Sequence, residues 1–477
     1  MVNLFTKFKE LFAPRDMCVG APWKRIAEFA FPMLLGNFAQ QLYNTVDAVV
    51  VGNSKWGEAG LGAVGNAGPI INLLLALFVG ISTGAGIMVS QFFGARDREK
   101  LSKTIGNCIS ITAIACVIIM IAGPLLTTPL LKAMNTMPDM FDASRDYLMI
   151  AFIGTAGFFF YNIFSGILRG LGDSLSALGF LVLTSVINVV LDLLFVDKMG
   201  VAGVALATVI AQFISAILCL IKLICMRNLF DINKRVLKIE KGIVLAIVKL
   251  GLPSGITQAI FSAAMMLVQS LINGFGDLLF VTCNIMVMRV DGYAMLPNFS
   301  FGQAMSTYVG QNVGAKRIDR IGIGTKQGLI MSLATALILT PLVLVGGPWL
   351  MGLFTPNQQL IDLSMTMMYI ICIGYIAMAI TQVLSGVMRG AGDTMAPMWI
   401  SFATTVIVRV PLAYTLVYIA KNMGAELLTQ EKMVFVSLLA SWMLGMLITV
   451  VLYLTGGWKK RQVNAIAAEL KSQGKSL

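Results

Sequence analysis

Four residues carry the chemistry that the sequence offers most plainly: Asp47, Asn188, Asp192 and Thr208. Each lies in a long apolar stretch. A carboxylate in hydrocarbon is costly, so it faces a partner or a water-filled cavity and marks an ion or proton path. Asp47 sits near the end of FAFPMLLGNFAQQLYNTVDAVVVG (29–52), which also holds Asn37, Gln40, Gln41 and Asn44. Taken alone, Asp47 could be a helix-end residue reaching for headgroups. Asn188 and Asp192 are four apart and share one helix face. Two carboxylates, an amide and a hydroxyl are hard oxygen ligands that suit a small cation. Two nearby carboxylates also suit a shared proton, since like charges raise a pKa. The chain has no histidine. That excludes His-based catalysis, His metal ligands and a His relay, so proton chemistry must run on carboxylates.

The elements that position these groups are membrane spans. The chain has 477 residues, 57% hydrophobic and 12% charged, against about 25% charged in a soluble domain. Mean hydropathy is +0.84. Twelve spans are expected, at 26–51, 65–90, 105–130, 146–168, 175–196, 201–226, 246–273, 280–308, 325–353, 365–388, 396–420 and 433–455. Residues 3–12 read as a surface helix and 458–471 as a cytoplasmic helix. No cleavable signal is expected, so the first span serves as a retained anchor. Seven Cys fall mostly within apolar spans without metal spacing, as reduced core residues.

The net charge of +12 follows topology rather than nucleic acid. Lys and Arg crowd the N-terminus, the even-numbered loops and the C-terminus. The opposite loops hold only Lys55, Lys132, Arg145, Lys198, Lys421 and Lys432. Both termini are therefore expected in the cytoplasm, in a multi-pass protein of the cell membrane. On this topology the first and fifth spans run outward and the sixth runs inward. At about 1.5 Å rise per residue, Asp47, Asn188, Asp192 and Thr208 then fall roughly 6–12 Å below the outer boundary.

The chain also repeats itself. VSQFFGARDREKL (89–101) matches VGQNVGAKRIDRI (309–321), and SGILRGLGDSLSAL (165–178) matches SGVMRGAGDTMAPM (385–398), both at an offset of 220. Six spans per repeat give both halves one orientation. The expected fold is an all-α polytopic membrane protein, with 12 transmembrane helices in two six-helix bundles. A pseudo-two-fold axis along the membrane normal would relate them. The segments would be a cytoplasmic N-terminus (1–25), a first lobe (26–226), a cytoplasmic linker (227–245), a second lobe (246–455) and a cytoplasmic C-terminus (456–477). The repeated motifs read as structural loops. Gln91 and Gly94, and likewise Gln311 and Gly314, close a span. Arg169, Gly172 and Asp173, with Arg389, Gly392 and Asp393, form tight hairpins: a cation at a helix C-terminus, a left-handed glycine and an N-cap. Pro69, Pro297, Pro341 and Pro411 suggest kinks.

The second half does not copy the polar set. Opposite Asn188 and Asp192 it has Arg409 and Ala413, with one residue of slip. Near the Asp47 equivalent it has Val268 and Gln269, and its own span charges are Arg289 and Asp291. An asymmetric pair of this kind suits a coupling ion in the first half and substrate between halves.

The sequence resembles the multidrug and toxic compound extrusion (MATE) family, in its prokaryotic DinF-like branch. The residues that carry the likeness are Pro32, Tyr43, Asn44 and Asp47 in P-x(10)-Y-N-x-x-D, the paired Q-x-x-G-A and R-G-x-G-D loops, N-x-x-x-D at Asn188 and Asp192, and R-x-P-L-A-Y from Arg409 to Tyr414. The resemblance implies two six-helix lobes around a cavity and efflux of organic, often cationic and amphipathic, compounds driven by Na⁺ or H⁺. It places the cation site on Asp47, Asn188, Asp192 and Thr208. Gln40, Tyr43, Asn44, Arg289, Asp291 and Arg409 are candidates for the substrate cavity. A seventh-span carboxylate used in other branches is not evident. Neither cofactor nor metal is expected apart from the coupling ion, and the expected partners are a small organic substrate and the bilayer, in a monomer. The alternative reading is a lipid-linked oligosaccharide flippase of a related superfamily, which tends to carry several cavity cations. An enzyme lacks a nucleophile with a base in view, an ATPase lacks its phosphate loop, and a channel lacks a filter motif.

Overall fold

The computed structural model describes residues 14–52, 57–133, 136, 138–352 and 355–459. Among them there is no strand. The helices are α1 (Pro22–Gly52), α2 (Gly57–Gly94), α3 (Arg98–Ala133), α4 (Pro138–Ile153), α5 (Thr155–Gly170), α6 (Ser174–Met199), α7 (Val201–Cys225) and α8 (Lys241–Asn273). There follow α9 (Leu278–Gly314), α10 (Ile318–Gly352), α11 (Gln358–Ile371), α12 (Gly374–Gly390), α13 (Met395–Phe402), a π-helical turn over Ala403–Arg409, α14 (Val410–Asn422) and α15 (Leu427–Leu454). Among the described residues eight helices are long and apolar enough to cross a membrane, or ten if each bent pair is one span. The two other expected spans fall on α1 and α2, part of whose side chains lie outside the described residues.

Two compact units emerge, Met1–Asp16 with Phe31–Gly255 and Met17–Ala30 with Ile256–Leu477. Helices α1 and α8 each contribute to both. In the first unit α2 packs on α3, α4 and α5; α5 packs on α3 and α7; and α6 packs on α7. In the second, α9 packs on α10, α11 and α12; α12 packs on α10 and α15; and α14 packs on α15. The repeat in sequence is thus a repeat in packing.

Small residues explain why the same helices meet. Lipid tails are as apolar as Leu, so helices in a membrane associate through close backbone approach. Gly166 and Gly170 on α5 lie against Ser82 and Gly86 on α2; a Cβ on Gly170 would sit 2.6 Å from the Gly86 carbonyl oxygen. Gly386 and Gly390 on α12 lie against Gly302 and Ser306 on α9, at the same offset of 220.

The repeated loop motifs become helix stops. After α5, the Asp173 amide donates to Leu168 O at 2.9 Å and Gly172 to Arg169 O at 3.0 Å, with Gly172 at φ +85°. After α12, Asp393 donates to Met388 O at 2.9 Å and Gly392 has φ +86°. This is the bonding that satisfies orphan carbonyls at a helix end, and only a left-handed residue allows it. Asp173 then caps α6, accepting from Ser176 N at 2.9 Å and from Ser176 Oγ at 2.7 Å, with Lys222 Nζ 3.4 Å away. Asp393 accepts from Ala396 N at 3.3 Å. The Q-x-x-G-A stops have the same form, but the left-handed position falls on Arg96 (φ +55°) and Lys316 (φ +58°).

Prolines do not mark the sharp bends. The two bends of 50° separate α4 from α5 at Gly154, and α11 from α12 at Cys372–Ile373. Helices α9 and α10 continue through Pro297 and Pro341. A proline removes a single donor, and neighbouring helices can re-satisfy what it frees.

Candidate functional site

Helix α6 has one buried stripe. Thr184, Asn188, Asp192 and Val196 recur every four residues and all are buried, Asn188 at 1% and Asp192 at 0% exposure. The i, i+4 spacing aligns them on one face, and α7 covers that face. The α6–α7 register is set by Ser215, whose hydroxyl donates to Thr184 Oγ1 at 2.7 Å. The two helices meet at Gly200, φ +61°. Asp192 and Thr208 each lie eight residues from Gly200, so they stand level, about 12 Å along the helices from the turn. Thr208 is partly buried. Helix α1 approaches α6 at Gly36, where an added Cβ would lie 3.5 Å from Leu178 Cδ1. Gln40 on α1 is exposed. The side chains of Tyr43, Asn44 and Asp47 lie outside the described residues.

The second unit answers with different chemistry. Gln269 Nε2 donates to Asn273 Oδ1 at 2.9 Å, and Asn284 Nδ2 donates to Gln269 Oε1 at 2.9 Å. An amide chain therefore occupies the stretch of α8 that corresponds to the Asp47 region of α1. Asp291 on α9 has Tyr375 and Arg409 as its electrostatic partners. Arg409 ends the π-helical turn, a feature that is rare in helices and frequent at functional sites. Ala413, one turn on, is fully buried. Arg289, two residues before Asp291 on α9, is exposed. Tyr375, 2% exposed, is not among the residues that the sequence marks for the site. It belongs to a distant span, and shared depth was the only signal that could have found it. Beside it lies a small cavity walled by Pro297, Asn298, Leu339, Thr340 and Tyr375, where Asn298 Nδ2 donates to the Tyr375 carbonyl at 3.4 Å.

The loop-motif residues fill other roles. Arg169 Nη1 donates to Ser165 Oγ at 2.8 Å. Gln311 is fully buried, and its Oε1 accepts the Met17 amide at 2.8 Å. Arg320 donates to Gly20 O at 2.8 Å and to Asn312 Oδ1 at 3.2 Å. The second Q-x-x-G-A motif is thus a dock for the segment that leads into α1. Gln91 lies in the last turn of α2, which ends at Gly94; α9 ends at Gly314, and Arg389 is the residue before the last of α12.

Comparison with known proteins follows the same lines. The sequence model of the MatE family matches residues 32–194 and 253–415. A protein of Bacillus subtilis (strain 168) named "Probable multidrug resistance protein YoeA" is 27% identical over 454 residues, 93% of this chain and 96% of its own. "Probable multidrug resistance protein NorM" of Thermotoga maritima is 24% identical, over 92% of this chain and 94% of its own. Among solved structures, "Crystal structure of MATE in complex with MaL6" superposes with a TM-score of 0.86 at 22% identity, covering 94% of this chain and 98% of that one.

Proposed function

The chain belongs to the MatE family, and from that premise we propose that it is a secondary active efflux transporter exchanging Na⁺ or H⁺ for organic, often cationic and amphipathic, compounds by alternating access. A member of this family is a transporter and not an enzyme. The observation that carries the coupled mechanism is Asp192: a carboxylate at 0% exposure inside an apolar span, on one stripe with Asn188 and level with Thr208. A buried carboxylate of this kind needs a counter-charge or a proton.

In this reading Asp47 and Asp192 take the coupling cation, with Asn188 and Thr208 supplying further oxygens. Gln40, Tyr43 and Asn44, one to two turns before Asp47 on α1, are the substrate residues of the first unit in this reading, and Arg289, Asp291 and Arg409 those of the second. Cation and substrate favour opposite states, so each shifts the equilibrium against the other by its differential affinity. The protein works as a monomer in the cell membrane with both termini in the cytoplasm. The names of its relatives, which refer to multidrug resistance, support an amphipathic drug-like substrate over a lipid-linked sugar.

The test is transport in liposomes under separately imposed Na⁺ and H⁺ gradients, with a panel of organic cations. One gradient should drive movement of at least one compound and the other should not. Movement that ignores both gradients would remove the coupled mechanism.

A further inference from the structure

We propose that Glu431 and Asp277 hold one proton between them, forming a proton-binding site in the second unit separate from the cation site on α6 and α7. The site lies where α8 leads into α9 and α14 into α15. On the topology proposed above, on which only this placement rests, that end faces the outer solution.

Glu431 is the fifth residue of α15 and is 3% exposed. Among the described residues its Oε1 has no hydrogen-bond partner. Asp277 is the N-cap of α9: its Oδ1 accepts from Leu279 N at 2.8 Å and from Phe280 N at 3.4 Å. One turn further in, Phe280 and Phe435 meet edge to face, with ring centroids 6.3 Å apart. Asp277 stands three residues before Phe280 and Glu431 four before Phe435, so the contact between those two rings brings the acids to the same end of the α9–α15 pair, where the Asp277 charge bears on Glu431. That contact fixes the start of α9 against α15 and keeps the two acids together.

Among the described residues, the titratable groups acting on Glu431 are Asp277 and Cys283, both from the α9 side. Helix α11 adds Ser364, fully buried beside Cys283. Two carboxylates turned on each other in apolar surroundings cannot both stay ionised, and one proton converts repulsion into an O–H···O bond. The first α9 amides already hold Asp277 Oδ1, and a helix N-terminus favours an anion there. Glu431 keeps the hydrogen and donates it to Asp277 Oδ2, the oxygen that the α9 amides leave open. When the proton leaves, two like charges face each other and the start of α9 loosens from α15.

The experiment is an infrared pH titration of the purified full-length chain in detergent. A protonated-carboxyl C=O band should be present in the wild type and lost in Glu431→Gln. In Asp277→Asn that band should titrate at lower pH, because the neighbouring negative charge is gone. If both variants keep the wild-type band and midpoint, the pair holds no proton and the proposal is wrong. If added Na⁺ at constant pH abolishes the Glu431-dependent band, a metal ion fills the pair, which also overturns it. Should Glu431→Gln fail to fold, an unchanged midpoint in Asp277→Asn suffices to reject the site. The readout is proton binding without transport, so failure of the efflux mechanism and failure of this site are separate results.

Discussion

At the scale of single residues, Asp192 decides most. Asp192→Asn changes charge with almost no change of shape, so the protein should insert and fold while ion-coupled efflux falls to background. Asp47→Asn should do the same. Wild-type rate and ion dependence in liposomes for both variants would show that the coupling site lies elsewhere. Asp291→Asn strips Arg409 of its carboxylate neighbour but leaves α6 intact, so a partial loss of rate is expected. Complete loss there, with Asp192→Asn still active, would move coupling to the second unit. Asn188 and Asp192 were legible in the sequence because four-residue spacing on a span states a shared face. Tyr375 was not, since its partner Asp291 lies on another span and no spacing rule links them. Glu431 was missed for a different reason. The span was expected to begin at 433, and an acid just outside a span looks solvated; α15 in fact begins at Leu427 and buries it.

Helices meet here through glycine and serine, and the cost of enlarging one can be stated. Gly386→Ala would drive a methyl into the Gly302 carbonyl. A change that overfills a tight contact typically costs about 1–3 kcal/mol, so thermal unfolding should move down by several degrees. Gly322→Ala is the matched control. It lies in α10 with nothing within 4 Å of the added carbon, and alanine should leave stability equal or raise it by up to about 1 kcal/mol. A fall equal to that of Gly386→Ala would mean that the close approach is not what holds α9 to α12. The recurrence of the small residues was readable in the sequence; which helix they lean on was not, because that depends on the packing of a whole bundle. The bends show a similar limit. Proline is a local signal, whereas the breaks at Gly154 and Cys372–Ile373 arise where two packed segments of one span take different directions.

Across the whole molecule, the connection between the repeats is not a loose tether. Arg98 grips Asp231 through two nitrogens at 2.7 and 3.3 Å and donates to the carbonyl of Asn228 at 2.8 Å. Asn107 accepts the Glu240 amide at 2.8 Å, and Phe230 is fully buried. The Arg98 guanidinium holds the Asp231 carboxyl below its ordinary range. That ion pair is therefore fully formed above the usual carboxylate pKa of about 3.9, and it is lost as pH falls through the lowered value. Arg98→Ala should make residues 226–240 cleavable by protease at neutral pH while the unfolding temperature hardly moves, since exposed pairs add little to global stability. An uncut linker would show that Asn107 and Phe230 suffice.

The π-helical turn at Ala403–Arg409 has a meaning for the history of the repeat. Before it, the halves correspond at an offset of 220, as at Asp173 and Asp393; after it, buried Asp192 and Val196 correspond to buried Ala413 and Val417 at 221. One inserted codon in an ordinary helix would swing every later side chain by about 100°. Here the extra residue is swallowed within the turn, and the helix beyond resumes in phase. Asp192 and Ala413 therefore occupy the same buried position of two helices that differ in length by one residue up to that point.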